Sequence, residues 1–177
     1  MVSQTQSFGS PIKLIFPFMI GELMLFTDGS VHAQTKIGYG AYLIAGESQL
    51  SIEALRAGIK VKRFEETSST KLELQTLLWA LSDIQTEKCK VILYTDSQNI
   101  MSLLSRRSRL EQNDYRSKNN KFLNNYELYQ EFFRVIDQLD CDFVKVRGHK
   151  RSPQKDKIDE IFTLVDRASR NALRGDK

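Results

Sequence analysis

Leu23–Ser30, Leu-Met-Leu-Phe-Thr-Asp-Gly-Ser, is an apolar run that delivers an acid and then a glycine. Val91–Gln98, Val-Ile-Leu-Tyr-Thr-Asp-Ser-Gln, repeats the design. Near-continuous apolar runs of this kind suit parallel strands buried on both faces. Each run is predicted to be a strand that stops at its Thr-Asp, the first of them at a glycine turn. Ligands of open α/β sheets gather beyond the carboxyl ends of such strands, so Asp28 and Asp96 are expected side by side in one crevice. Neighbouring carboxylates raise each other's pKa. A divalent cation relieves that conflict, and Mg²⁺ prefers oxygen ligands. One such Asp is explained by capping the turn after it; the same ending on two strands points to a metal.

Outward from these runs, Gly38–Ile44 and Lys60–Thr67 read as two more strands. Three strands in close succession imply an antiparallel meander. Ser51–Gly58 fits either an extension of the third strand or a short turn. Ser69–Gln85 switches to helical period, with Leu74, Leu77, Leu78 and Leu81 at i, i+3, i+4 and i+7. That helix supplies the crossover a parallel strand pair requires. Ser97 is placed to cap a helix running to about Ser105. The basic, Asn- and Ser-rich segment Arg106–Lys121 follows, then a helix over Phe122–Leu139 and a fifth strand, Cys141–Val146. A basic loop, Gly148–Lys157, leads to a last helix over Ile158–Leu173. The order βββαβααβα predicts an α/β fold, a mixed sheet with helices on its faces.

The 177 residues suit one domain with a real core. We expect that domain over residues 21–177, with residues 1–20 as an N-terminal extension. Pro11–Ile20 is apolar enough to pack on the domain or at a subunit contact, and the oligomeric state is not legible. Leu14–Ile20 contains Pro17, lacks a cleavage site and is too short to span a bilayer; no membrane association is expected. Cys89 and Cys141 lack metal-type spacing and read as reduced thiols at strand starts, which predicts a cytoplasmic protein. The net charge of +4 is unevenly spread. Arg106–Lys121 has six basic and two acidic residues, and Lys145–Lys157 six and one, so the rest of the chain sums to −5. Two basic patches on an acidic body suggest a polyanionic partner, the competing explanation being solvated loops.

Further acids and two histidines need weighing. Thr70-Lys-Leu-Glu73 fits a capping box, yet Glu73, Leu77, Ala80 and Ile84 share one helical stripe, which turns Glu73 toward the sheet. Asp156, Asp159 and Asp166 all compete to be a fourth acid, and pattern alone leaves the choice open. His149, after Gly148 in the basic loop, titrates near neutrality and suits a proton shuttle or product departure. His32 is read as a loop residue.

The ordered set Thr27-Asp28-Gly29-Ser30, Gly38-Tyr39-Gly40-Ala41, Lys71-Leu72-Glu73-Leu74, Thr95-Asp96-Ser97-Gln98, Val146-Arg147-Gly148-His149 and Val165-Asp166-Arg167-Ala168 resembles the type 1 ribonuclease H family. The resemblance covers roughly Leu23 to Leu173. It implies a ribonuclease H-like fold: a five-stranded mixed sheet, three antiparallel strands then two parallel, flanked by helices. It selects Asp166 as the fourth acid. The implied activity is cleavage of the RNA strand of an RNA–DNA hybrid, leaving a 5′-phosphate and a 3′-hydroxyl. Asp28, Glu73, Asp96 and Asp166 would hold two Mg²⁺ ions about 4 Å apart, with Mn²⁺ as a substitute. His149 would assist proton transfer or product release. Gly29 would let the backbone approach the RNA, and Ser30, Ser69, Thr70 and Gln98 would contact the hybrid. Arg106, Arg107, Lys118, Lys121 and Lys150 would meet phosphates, Arg106–Lys121 lying where some members carry a basic protrusion.

The sequence departs from the family in three places. Val31–Ile37 replaces an Asn-Pro-Gly-rich loop. Ser69-Thr70 stands where a pair of Asn is common. The interval from His149 to Asp166 is longer than usual. A helix starting at Asp156 would put Asp166 about 15 Å along it, so the extra residues are expected in a loop or outward extension that leaves Asp166 level with the other acids. Two other functions fit the same residues: a catalytically weak or inactive nucleic-acid-binding module, and a related nuclease acting on DNA.

Overall fold

A computed structural model describes residues 21–46, 51–84, 89–147 and 156–176. In chain order the elements are β1 (Glu22–His32), β2 (Ile37–Gly46), α1 (Ile52–Gly58), β3 (Lys60–Phe64), α2 (Ser69–Ser82), β4 (Lys90–Thr95), α3 (Gln98–Gln112), α4 (Tyr126–Ile136), β5 (Cys141–Lys145) and α5 (Lys157–Gly175). The five strands form one sheet in the order β3-β2-β1-β4-β5. The pairs β1–β2 and β2–β3 are antiparallel, and β1–β4 and β4–β5 are parallel. This is the expected ribonuclease H-like topology.

Side-chain alternation along the strands sends residues to two cores. Leu25, Tyr42, Val91 and Leu93 pack against α2, α3 and α4 through Leu74, Leu77, Ile100, Leu103 and Phe132. Phe26, Ala41, Leu43 and Ala45 pack on the other face against Leu55, Ile161, Phe162 and Val165, from α1 and α5. Each helix therefore buries one stripe against one face of the sheet.

β1 does not stop at Asp28. Its parallel ladder with β4 ends at the pair Phe26 and Tyr94, whose rings stack 4.7 Å apart. The antiparallel ladder with β2 continues through Asp28–Ala41 and Gly29–Gly40 to His32–Ile37. The glycine is needed for packing, not for a turn. A Cβ on Gly29 would lie 2.9 Å from Leu72 of α2, and one on Gly40 would overlap Thr76. The two glycines let α2 approach β1 and β2 closely, which fixes the start of α2 over the end of β1.

Other boundaries also differ from the reading of the sequence. β3 ends at Phe64 rather than Thr67. Within Ser51–Gly58 lies the helix Ile52–Gly58, capped by Ser51 accepting from the Ala54 amide and anchored by buried Leu55. α3 runs on through Arg106 to Gln112, because Leu103 and Leu110 stay buried on its inner face. α4 starts only at Tyr126. Arg116 and Phe122 pair across a tight turn, and Asn125 takes a left-handed conformation (φ 64°) before the helix. α5 begins at Lys157, and its first three turns lie on the second core instead of projecting outward. Among the described residues no helix is long and apolar enough to cross a membrane.

Candidate active site

The last ladder pair, Phe26 and Tyr94, explains why two acids meet. Asp28 and Asp96 each lie two residues beyond it on adjacent parallel strands. Asp28 remains within β1, while Asp96 follows the end of β4 and is exposed. Glu73 enters from the second turn of α2 and Asp166 from the middle of α5. All four carboxylates line one pocket of about 250 Å³, together with Gly29, Ser30, Ser69 and Arg170.

Asp28, Glu73 and Asp166 each meet a donor from another side chain. Ser169 Oγ donates to Asp28 Oδ2 at 2.5 Å. Ser97 Oγ donates to Glu73 Oε2 at 2.6 Å while accepting from the Ile100 amide as the cap of α3. Arg170 Nε lies 2.8 Å from Asp166 Oδ1. Burial pushes the Asp28 carboxyl up to about 7; the Ser169 hydrogen bond opposes this, and Asp166 and Asp96 add to it by repulsion. Burial likewise raises Glu73, with Ser97 opposing and Asp96 adding. Among the described residues, the pocket lining thus gathers four carboxylates and one guanidinium, that of Arg170.

The capping box at Thr70 and Glu73 does not form. Ser68 caps α2, accepting from the Lys71 amide, and this leaves the Glu73 side chain turned inward to Ser97. The box that does form joins Asp156 and Asp159 at the start of α5, with Asp159 N to Asp156 Oδ1 at 2.9 Å and Asp156 N to Asp159 Oδ2 at 3.2 Å. Those two acids serve the helix end; Asp166, two to three turns later, faces the pocket. His149 and Lys150 lie outside the described residues. His32 accepts from the Thr35 amide through Nδ1 and belongs to the β1–β2 turn.

The remaining sequence candidates fall into two groups. Gly29, Ser30 and Ser69 line the pocket, and Thr70 is half-buried beside Ser69. Gln98 begins α3 and accepts from the Lys145 ammonium. Farther out, Arg106 bonds the Ser102 carbonyl at 3.1 Å. Arg107 is committed to structure: it grips both oxygens of Asp137 at 2.6 and 2.7 Å, reaches Glu111 at 2.7 Å, and covers the Phe133 ring. Lys118 and Lys121 are exposed on the turn after α3. Ser169 and Arg170, which partner the site acids, were not singled out from sequence. Ser169 left a trace, since it falls four residues after Val165 on an otherwise apolar stripe.

Among the described residues, no three Asp, Glu, His or Cys side chains converge into a ready-made metal cage. The carboxylates of Asp28, Glu73 and Asp166 each turn to their own donor. The donor set still suits a hard divalent cation: it is oxygen-only, and its four carboxylates share one pocket lining.

A model of the RNase H family matches residues 21–166. A Ribonuclease H of Chlorobium phaeobacteroides is 27% identical over 143 residues, covering 79% of this chain and 92% of that protein. One from Moorella thermoacetica is 26% identical over 143 residues, covering 79% and 88%. One from Pseudoalteromonas atlantica is 26% identical over 155 residues, covering 86% and 94%. The fold is similar to that in a crystal structure of prototype foamy virus protease-reverse transcriptase, with a TM-score of 0.68 at 16% identity over 84% of this chain and 20% of that one. The family match runs from the residue before β1 to Asp166 itself, so that the whole sheet and all four pocket acids lie within it: the chain belongs to the RNase H family.

Proposed function

We propose that this protein is a ribonuclease H, a metal-dependent endonuclease that hydrolyses the RNA strand of RNA–DNA hybrids to 5′-phosphate and 3′-hydroxyl ends. The observation that carries the reading is the convergence of Asp28, Glu73, Asp96 and Asp166, from four separate parts of the fold, on one pocket. A phosphodiester would be repelled by four carboxylates unless cations stood between them. Mg²⁺ ions, or Mn²⁺ in their place, held by these four acids would supply an activated water and charge stabilisation at the leaving oxygen.

The chain's own residues provide the rest. Ser97, in the pocket lining, holds Glu73 in place, and Ser169, behind it, holds Asp28. Ser30, Ser69, Thr70 and Gln98 offer hydroxyl and amide groups at the rim for sugars and base edges, and the 2′-hydroxyls are what distinguish the RNA strand. Gly29, which lines the pocket, lets the RNA approach the backbone there. Water attacks phosphorus in line with the departing 3′ oxygen, which leaves protonated, and His149 serves as proton carrier. Arg106, Lys118, Lys121 and Lys150 contact phosphates away from the cut. Residues 21–177 form the catalytic domain and residues 1–20 an extension, in a cytoplasmic enzyme.

Competition among substrates tests this reading. Hybrid, duplex RNA and duplex DNA of one sequence are offered together with Mg²⁺ at a fixed salt concentration, since phosphate-driven affinity depends steeply on salt. Cutting confined to the RNA strand of the hybrid is expected. Equal cutting of duplex DNA would replace the reading with a DNA nuclease.

A further inference from the structure

We propose that Ser169 is a positioning residue for the metal centre: its hydroxyl holds the Asp28 carboxylate in the orientation that takes a divalent cation and ties β1 to α5 at that point. The inference rests on the function proposed above. Ser169 is fully buried, and the residues before it on the same stripe of α5, Ile158, Phe162 and Val165, are apolar. An apolar residue would continue that stripe without the cost of burying a hydroxyl.

The simplest alternative is that the serine satisfies itself within the helix. Serine hydroxyls commonly bond a carbonyl one turn back, and the Asp166 carbonyl lies 3.0 Å from Oγ. A hydroxyl has one proton, however. The Asp28 carboxylate lies closer, at 2.5 Å, and charge-assisted bonds are the stronger ones. The proton therefore goes to Asp28, across the interface between two elements far apart in the chain. The donation engages Oδ2 and leaves Oδ1 for a cation. The same serine sits one turn beyond Asp166, so it also sets the distance between these two acids. Donors behind a ligating carboxylate orient it, and their loss typically weakens metal affinity about 10–100-fold.

The test uses the full chain with Mn²⁺ alone, its free concentration read by electron paramagnetic resonance, for the natural protein, Ser169→Ala and Ser169→Thr. Melting in EDTA establishes that each variant folds. We expect Ser169→Ala to bind Mn²⁺ at least about tenfold more weakly, and Ser169→Thr, which keeps the hydroxyl, to stay within about threefold of the natural chain. In cleavage assays the alanine variant should lose rate at limiting Mg²⁺ and recover most of it at saturating Mg²⁺, whereas general damage would lower both. Equal Mn²⁺ affinity in the folded alanine variant, or an equal loss in a folded threonine variant, would overturn the role of Ser169 alone. A natural chain that binds no Mn²⁺ would overturn both this inference and the proposed function.

Discussion

Asp28 is half-buried where β1 meets α5, and its carboxyl is pushed up to about 7 by that desolvation, with Asp166 and Asp96 adding repulsion against the Ser169 hydrogen bond. Its folded pKa lies above its unfolded value, so the folded state binds the proton more tightly. The associated stability is complete below about pH 4 and is lost as pH rises through about 7. In EDTA the melting temperature should fall across that window, by the equivalent of at most about 4 kcal/mol. Asp28→Asn, which cannot titrate, should flatten the profile and melt higher than the natural chain at pH 8. An unchanged profile in Asp28→Asn would assign the effect elsewhere. At this scale the sequence revealed what rests on strong local signals. Asp28 and Asp96 stand out because each follows an apolar run, and Glu73 because Leu77, Ala80 and Ile84 share its stripe. Asp166 could not be separated from Asp156 and Asp159 by pattern, since acids that cap a helix and acids that serve a site look alike until the helix start is known. Ser169 stayed hidden because its partner, Asp28, is far away in the chain.

Between elements, the decisive contact is the close approach of α2 to the β1–β2 pair. Gly29 reads as a turn residue in isolation; its lack of a side chain is used instead by Leu72, and that of Gly40 by Thr76. No local pattern encodes such a contact, which is why the continuation of β1 to His32 is invisible in the sequence while the strand order is legible. The end of α3 is hidden for a related reason. Arg106–Gln112 looks like a solvated basic segment, but Leu110 is buried, and Arg107 links α3 to Asp137 at the end of α4. The packing of the glycines makes a quantitative prediction. Gly40→Ala should destabilise the protein by about 1–3 kcal/mol in denaturant titrations, because the new methyl overlaps Thr76. Thr76→Ala should cost little by itself, since the buried Thr76 hydroxyl has no hydrogen-bond partner among the described residues. The double variant should recover at least about 0.5 kcal/mol relative to the sum of the two changes; simple additivity would mean the two residues do not compete for space.

Across the whole molecule, charge is divided between an acidic pocket and basic surfaces. α3 starts at the pocket with Ser97 and is 15 residues long, which carries the turn holding Lys118 and Lys121 about 22 Å away. That is far enough to meet phosphates well away from a cut at the pocket. Lys118→Ala with Lys121→Ala should weaken hybrid binding and reduce the dependence of log affinity on log salt by about 0.9 for each phosphate no longer neutralised. Arg107→Ala should leave that slope unchanged and lower stability by about 1 kcal/mol, because its charge is already engaged by Asp137 and Glu111. Net charge and patch composition are readable from the sequence; which cations are already committed is not, because Asp137 becomes a neighbour of Arg107 only through the packing of α3 and α4. The central claim is that the four-acid pocket cleaves RNA in hybrids with the help of a divalent cation. Its most direct test is an end-labelled RNA–DNA hybrid incubated with the protein in Mg²⁺, beside Asp96→Asn and an EDTA control. Internal RNA fragments that vanish in both controls are the expected result; binding of the hybrid with no cleavage in either Mg²⁺ or Mn²⁺ would contradict the claim and leave a nucleic-acid-binding module.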